Sequence, residues 1–167
     1  MDKIEKKENW IWTEKDFEVM YWNDCSIYTI EFDKYNLKLT FDIDYIFKWI
    51  EPELQNEDYK FLIAPATLIF EKVYEFDIDL DSNLEIDINS INRQEEREFI
   101  NVEQGRSYRE WKWTIDTLQG NITFRAEGFS MYIRQKPKVV NSLNSKNNGL
   151  FNRLGIAVYK NENQENI

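Results

Sequence analysis

The chain of 167 residues contains no histidine, one cysteine, three prolines and five glycines. Without histidine there is no Ser-His-Asp or Cys-His machinery, and the commonest general base near neutral pH is missing. One cysteine and no histidine also leave no tetrahedral zinc set. Cys25 cannot close an internal disulfide, which fits a reducing, cytoplasmic compartment, and a lone thiol of this kind reads as a small core hydrophobe. The first ten residues, Met1 to Trp10, are mostly Lys, Glu and Asp and hold no apolar run of the signal-peptide or membrane-spanning kind. P-loop, dinucleotide fingerprint and nucleophile elbow are all absent; Gly128-Phe129-Ser130 lacks the glycine that would close the last of these. Any catalysis would rest on carboxylates alone, and abundance of Asp and Glu is not a site. The expectation is a protein that is not an enzyme and takes no cofactor.

What is present is apolar mass and negative charge. Hydrophobic residues make up 42% of the chain and aromatics 16%, more than a disordered segment leaves exposed, so the chain is expected to fold. Its length suits one domain, predicted over 10–160, with a charged arm at 1–9 and a polar tail at 161–167. The formal net charge of −10 argues against direct nucleic-acid binding or adhesion to an anionic membrane and favours a basic partner. The charge is uneven: from Gly128 to Asn161 there is no Asp or Glu, while Arg134, Lys136, Lys138, Lys146, Arg153 and Lys160 fall there.

Thr13 followed by Glu14, Lys15 and Asp16 predicts a short helix running towards Met20, with Thr13 as N-cap. Ser26 to Phe32 and Leu37 to Tyr45 are β-branched and aromatic, and Asp33-Lys34-Tyr35-Asn36 between them suits a hairpin turn. Phe61 to Ala64 and Thr67 to Phe76 read as strand interrupted at Pro65, which cannot donate a ladder hydrogen bond. Leu84 to Ile91 alternates apolar and polar, as a strand with one wet face does, after a turn at Asp81-Ser82-Asn83. Arg93 to Glu98 is dense in Gln, Glu and Arg and reads as a short helix or exposed loop. Trp111 to Leu118 and Ile122 to Ile133 form a second hairpin around Gln119-Gly120-Asn121. Leu154 to Tyr159 is a last strand candidate. With turns between strands and no recurring βαβ alternation, the predicted fold is mainly β, with α+β as the alternative: an antiparallel sheet, curled or doubled into a sandwich or partial barrel, with one or two short helices.

Acid and apolar residues alternate three times: Phe41-Asp42-Ile43-Asp44, Phe76-Asp77-Ile78-Asp79, and Leu84-Glu85-Ile86-Asp87-Ile88. Side chains alternate faces along a strand, so each segment sets its carboxylates opposite its apolar residues. The bland reading is a solvated face. The functional one is an acidic surface of Asp42, Asp44, Asp77, Asp79, Glu85 and Asp87 that docks a basic protein. Like charges in neighbouring strands repel and need compensation from Lys and Arg, a cation or a partner; Arg134, Lys136 and Lys138 are the internal candidates. Asp77, Asp79, Asp81 and Asn83 have the odd spacing of an EF-hand loop, but Ser82 stands where Gly should be and Ile88 where the bidentate Glu should be, so no metal site is expected. Trp10, Trp12, Trp22, Trp49, Trp111 and Trp113 read first as packing; Trp111 and Trp113, two apart, share a face and with Trp22 are candidates for stacking a flat ligand or carbohydrate.

The segments Asp16-Phe17-Glu18-Val19-Met20 with Trp22 and Asp24, Asp42-Ile43-Asp44-Tyr45-Ile46 with Trp49 and Pro52, and Ala64-Pro65-Ala66-Thr67-Leu68 with Phe70 resemble a family of uncharacterised bacterial cytosolic proteins. The resemblance covers roughly the first half, to about Asp81, together with Phe129 to Arg134. The family's pattern often carries His where Asn23 stands here, so no role tied to an imidazole carries over. It implies a bacterial cytosolic domain of recurring architecture and brings no activity with it.

Two classes of function fit best. One is a small acidic cytoplasmic interaction protein, such as an immunity or inhibitor protein that neutralises a basic toxin or nuclease by charge complementarity or mimicry. The other is a β domain that binds a small ligand in an aromatic-lined pocket. A carboxylate- or metal-dependent enzyme stands third.

Overall fold

The computed structural model of the chain describes residues 10–54, 57–81, 85–101, 105–143 and 150–151. The arm at 1–9, the tail at 161–167, the strand expected at 154–159 and most of the turn at 81–83 lie outside the described residues. Among the described residues ten strands form one antiparallel sheet, with β1 (Ile11–Thr13), β2 (Cys25–Asp33), β3 (Lys38–Ile50), β4 (Lys60–Glu71), β5 (Tyr74–Leu80), β6 (Ile86–Asn101), β7 (Arg106–Thr117), β8 (Gly120–Ala126), β9 (Gly128–Ile133) and β10 (Lys138–Val140). Their spatial order is β1-β9-β4-β3-β2-β6-β7-β8-β5, with β10 beside β4, so the sheet does not close into a barrel. The helix expected after Thr13 is a single 3-10 stretch, Glu14–Val19, whose entry is fixed by the Asp16 carboxylate accepting the Thr13 N–H at 2.9 Å.

The sheet folds over on itself. Inward residues of β3 (Leu39, Phe41, Ile43, Tyr45) pair with those of β4 (Phe70, Leu68, Ala66, Ala64), and all are buried. Phe70 on β4 also meets Trp113 on β7 at 5.1 Å and Phe124 on β8 at 4.7 Å, edge to face, although three strands separate β4 from β7 in the sheet. Each of these rings is worth about 2–3 kcal/mol in burial, with up to about 1.5 kcal/mol more for a favourable ring pair. The buried indole N–H of Trp113 donates to the Ala126 carbonyl at 3.2 Å, so the polar end of the ring is satisfied.

Three segments differ from the sequence reading. Pro65 does not interrupt its strand: β4 runs through it, paired to β3 on one side throughout. On its other side β4 changes partner, with Phe61–Ile63 against β10 and Ala66–Glu71 against β9, and Pro65 sits in the gap where an N–H has least to do. Arg93 to Glu98 is neither helix nor loop but part of β6, in a long ribbon with β7. Cross-strand charges hold that ribbon, Glu96 with Arg109 at 3.2 Å and Glu95 with Lys112 at 3.9 Å, and both of its faces are wet, so no apolar alternation announces it. Ile122 to Ile133 breaks at Glu127 into β8 and β9, where the chain crosses from one wall of the fold to the other.

Cys25 is fully buried, and its sulfur accepts the Ile46 N–H at 3.5 Å. Burial pushes the thiol up from 9 to about 12, with Asp44, Asp24 and Asp87 adding to the shift and the Ile46 N–H opposing it. Both states keep the proton below pH 9; above it the unfolded chain loses the proton first, so this contribution to stability is full below pH 9 and is lost as pH rises towards 12. Cys25 should therefore resist a thiol-directed reagent at pH 8 and react fully once urea unfolds the chain. Rapid labelling of the native protein would contradict its placement in the core.

Candidate functional site

The structure divides the six candidate carboxylates into two groups. Asp42 and Asp44 do lie opposite Phe41 and Ile43, as alternation requires, but that side of β3 is not solvent: Asp42 is 4% and Asp44 5% exposed. β3 is central in the sheet, and its second face is covered as well. The Arg134 guanidinium donates to Asp42, the Tyr28 hydroxyl donates to Asp44 at 2.9 Å, and the neighbouring Thr40 and Thr67 are buried too. Their expected place on an exposed docking face is thus corrected. Of the three basic residues considered as cover, Arg134 fills that role, whereas Lys136 and Lys138 are exposed and Lys138 Nζ donates to the Leu150 carbonyl at 3.0 Å.

Asp77, Asp79 and Glu85 are exposed, and Asp87 is half-buried. Backbone register and turns gather them, with three further acids, around the β7–β8 turn. Asp79 pairs with Asn121, which pairs on its other side with Asp116. The Asp81 N–H donates to the Gln119 carbonyl at 2.9 Å, and the Leu118 N–H to the Asp87 carbonyl at 3.2 Å. The Asp24 N–H donates to the Ile88 carbonyl at 2.8 Å, which brings Asp24 up to Asp87. The Asp24 carboxyl is raised above its ordinary range, first by burial and then by the nearby charge of Asp87. Among the described residues no group of acids is arranged to hold a metal ion.

The aromatic candidates part as well. Trp113 is fully buried and Trp22 is 5% exposed, packed edge to face on Tyr45 and Phe129. Trp111 shares its face with Trp113, as the spacing predicts, but the Arg93 guanidinium lies 4.9 Å from its ring centre, held there by Glu18 at 2.9 Å. The ring that would stack a flat ligand is thus met by the protein's own cation.

One cluster had no signal in the sequence. Arg125 on β8 is 1% exposed and gathers three glutamates from three strands: Glu75 on β5 at 3.2 Å, Glu95 on β6 at 2.6 Å and the buried Glu110 on β7 at 3.8 Å. Glu75 and Glu95 sit at bulges of their strands, and both have φ of +49°, a left-handed backbone that is costly for a residue with a Cβ. Tyr74 also donates to Glu110, and its hydroxyl is pushed up, first by burial and then by that carboxylate. Arg125 thereby ties β5 to the β6–β7 ribbon. Only the isolated Arg within the apolar β8 run of Ile122 to Ala126 could have pointed to it.

Compared with family profiles, curated proteins and solved structures, the chain matches none. No helix among the described residues is long and apolar enough to cross a membrane.

Buried and exposed acids should respond differently to substitution. Asp42→Asn leaves Arg134 buried without its counter-charge and should cost about 3–5 kcal/mol in urea unfolding. Asp77→Lys with Asp79→Lys should change stability by no more than about 0.5 kcal/mol. Equal losses in the two variants would mean that the division between buried and exposed acids is wrong.

Proposed function

We propose that this is a small acidic binding protein, without chemistry of its own, that docks a basic protein partner on the carboxylates around the β7–β8 turn. The observation that carries the reading is that strand pairing and turn hydrogen bonds bring seven acids together around the β7–β8 turn. Among the described residues many carboxylates meet a cation: Glu71 with Lys38, Glu127 with Lys72, Glu18 with Arg93, Glu96 with Arg109, and Asp42 with Arg134. Arg125 takes up three more, Glu75, Glu95 and Glu110. Glu14, Glu31, Glu51, Glu53, Glu57, Asp58 and Glu98 meet none among the described residues, but they are divided among the 3-10 stretch, β2, the β3–β4 connection and β6. Asp24, Asp77, Asp79, Asp81, Glu85, Asp87 and Asp116 form no salt bridge among the described residues, although they share one end of the molecule. Concentrated charge of one sign steers an opposite charge in, and a partner's Lys and Arg would relieve the repulsion among these acids, of which Asp87 on Asp24, second to burial in raising that carboxyl, is one instance.

An immunity or inhibitor protein that occupies the basic active site of a toxin or nuclease in the bacterial cytoplasm is the role this surface fits best. The alternative, a small ligand stacked on tryptophan, gains nothing from Trp22 and Trp113, which sit in the core.

The test is binding of the products of the adjoining genes to the wild-type chain at several ionic strengths. A basic product should bind, with an association rate that falls about tenfold or more from low to high salt, and the Asp77→Lys, Asp79→Lys variant should lose most of that salt sensitivity. If no basic product binds, or if the rate is flat against salt, the proposal fails.

A further inference from the structure

β5 lies at one end of the sheet and hydrogen-bonds to β8 alone; its second edge carries no strand among the described residues. Its first half is twisted by the bulge at Glu75 and Phe76, but Asp77, Ile78, Asp79 and Leu80 run in regular register against Thr123, Ile122, Asn121 and Gly120. Along an antiparallel edge every second residue turns its N–H and C=O outward, and such groups are a template for another strand. Ile78 is 44% exposed although its partner Ile122 is fully buried, because no described strand flanks it on the outer side.

Building on the docking reading, we propose that the partner adds an extended segment to the free edge of β5, and that this segment alternates basic, apolar and basic residues. The pattern of β5 selects that occupant. A second copy of β5 laid antiparallel would bring Asp77 and Asp79 against their own counterparts, and like charges directly across a strand pair are destabilising. Lys or Arg two residues apart would instead face Asp77 and Asp79, which no cation among the described residues engages. An apolar residue between them falls on the other face, beside Ile78, and would cover it. Main-chain hydrogen bonds supply affinity in such strand addition, and the alternate side chains supply specificity. The same two aspartates that block self-association thus admit a basic strand.

The test uses the full chain and three short synthetic peptides of one composition: alternating Lys and Val, the same residues in two blocks, and the alternating peptide with its backbone amides methylated. Hydrogen exchange of the amides of Asp77 to Leu80 is read with each. The alternating peptide should slow exchange there by at least about tenfold, the other two should not, and Asp77→Lys with Asp79→Lys should abolish the effect. If the block or methylated peptide protects these amides equally, or if protection maps elsewhere, strand addition is wrong. Salt-sensitive binding of all three peptides that is lost in the variant would overturn strand addition while leaving the acidic docking surface in place. No salt-sensitive binding by any peptide would remove both.

Discussion

Phe70 joins two walls whose strands, β4 on one side and β7 and β8 on the other, are not paired with each other. It stands on β4 and packs on Trp113 and Phe124, which arrive from the far side of a sheet that has curled round to meet it. Phe129 and Phe17 complete the group, each edge to face on Trp113. Hydrogen bonding along the sheet sets the order of strands, but it does not make the sheet bend. The bend is what buries Leu39, Phe41, Ile43, Ile115 and Ile122 on a single inner surface, and the aromatic contact holds it. The remaining features depend on this closure: the turn that gathers the acids and the edge at β5 are where they are because β8 lies over β4.

Curling also gives the central strands a second covered face. On β3 that face is polar, with Thr40, Asp42 and Asp44 all buried. Charge placed there must be matched within the protein, and Arg134 from the acid-free C-terminal region does so. Arg125 acts in the same way for three glutamates on the other wall. Two buried guanidinium groups thus take up four carboxylates in a chain whose acids outnumber its cations 31 to 21, while seven acids with no salt bridge among the described residues gather around the β7–β8 turn.

Much of the strand layout could be read from alternation and turn residues, because a strand with one dry and one wet face writes its geometry into its composition. The hairpins around Asp33 to Asn36 and Gln119 to Asn121, the short helix after Thr13 and the antiparallel class follow from that rule. The rule fails where its premise fails. β3 has two dry faces, so its aspartates look like surface and are not; the ends of β6 and β7 have two wet faces, so they look like loop and are paired. Pro65 reads as a break because a sequence does not show that a strand can change neighbours on one side. The same limit separates the candidate site into parts: Asp77, Asp79 and Glu85 follow the pattern to the surface, while Asp24 joins them through the Ile88 carbonyl and Asp81 and Asp116 through the β7–β8 turn, contacts between distant segments that no local spacing encodes.

The pairing of β1 with β9 sets a timing problem for the growing chain. Trp12 lies opposite Met131, so β1 takes as its neighbour a strand far along the chain. Long-range pairing of this kind is slow, with folding of all-β domains commonly taking milliseconds to seconds. Until β9 has been made β1 lacks this neighbour, and Glu14, Lys15 and Asp16 beside Ile11 and Trp12 are charges of the kind that disfavour pairing of such a segment with another chain.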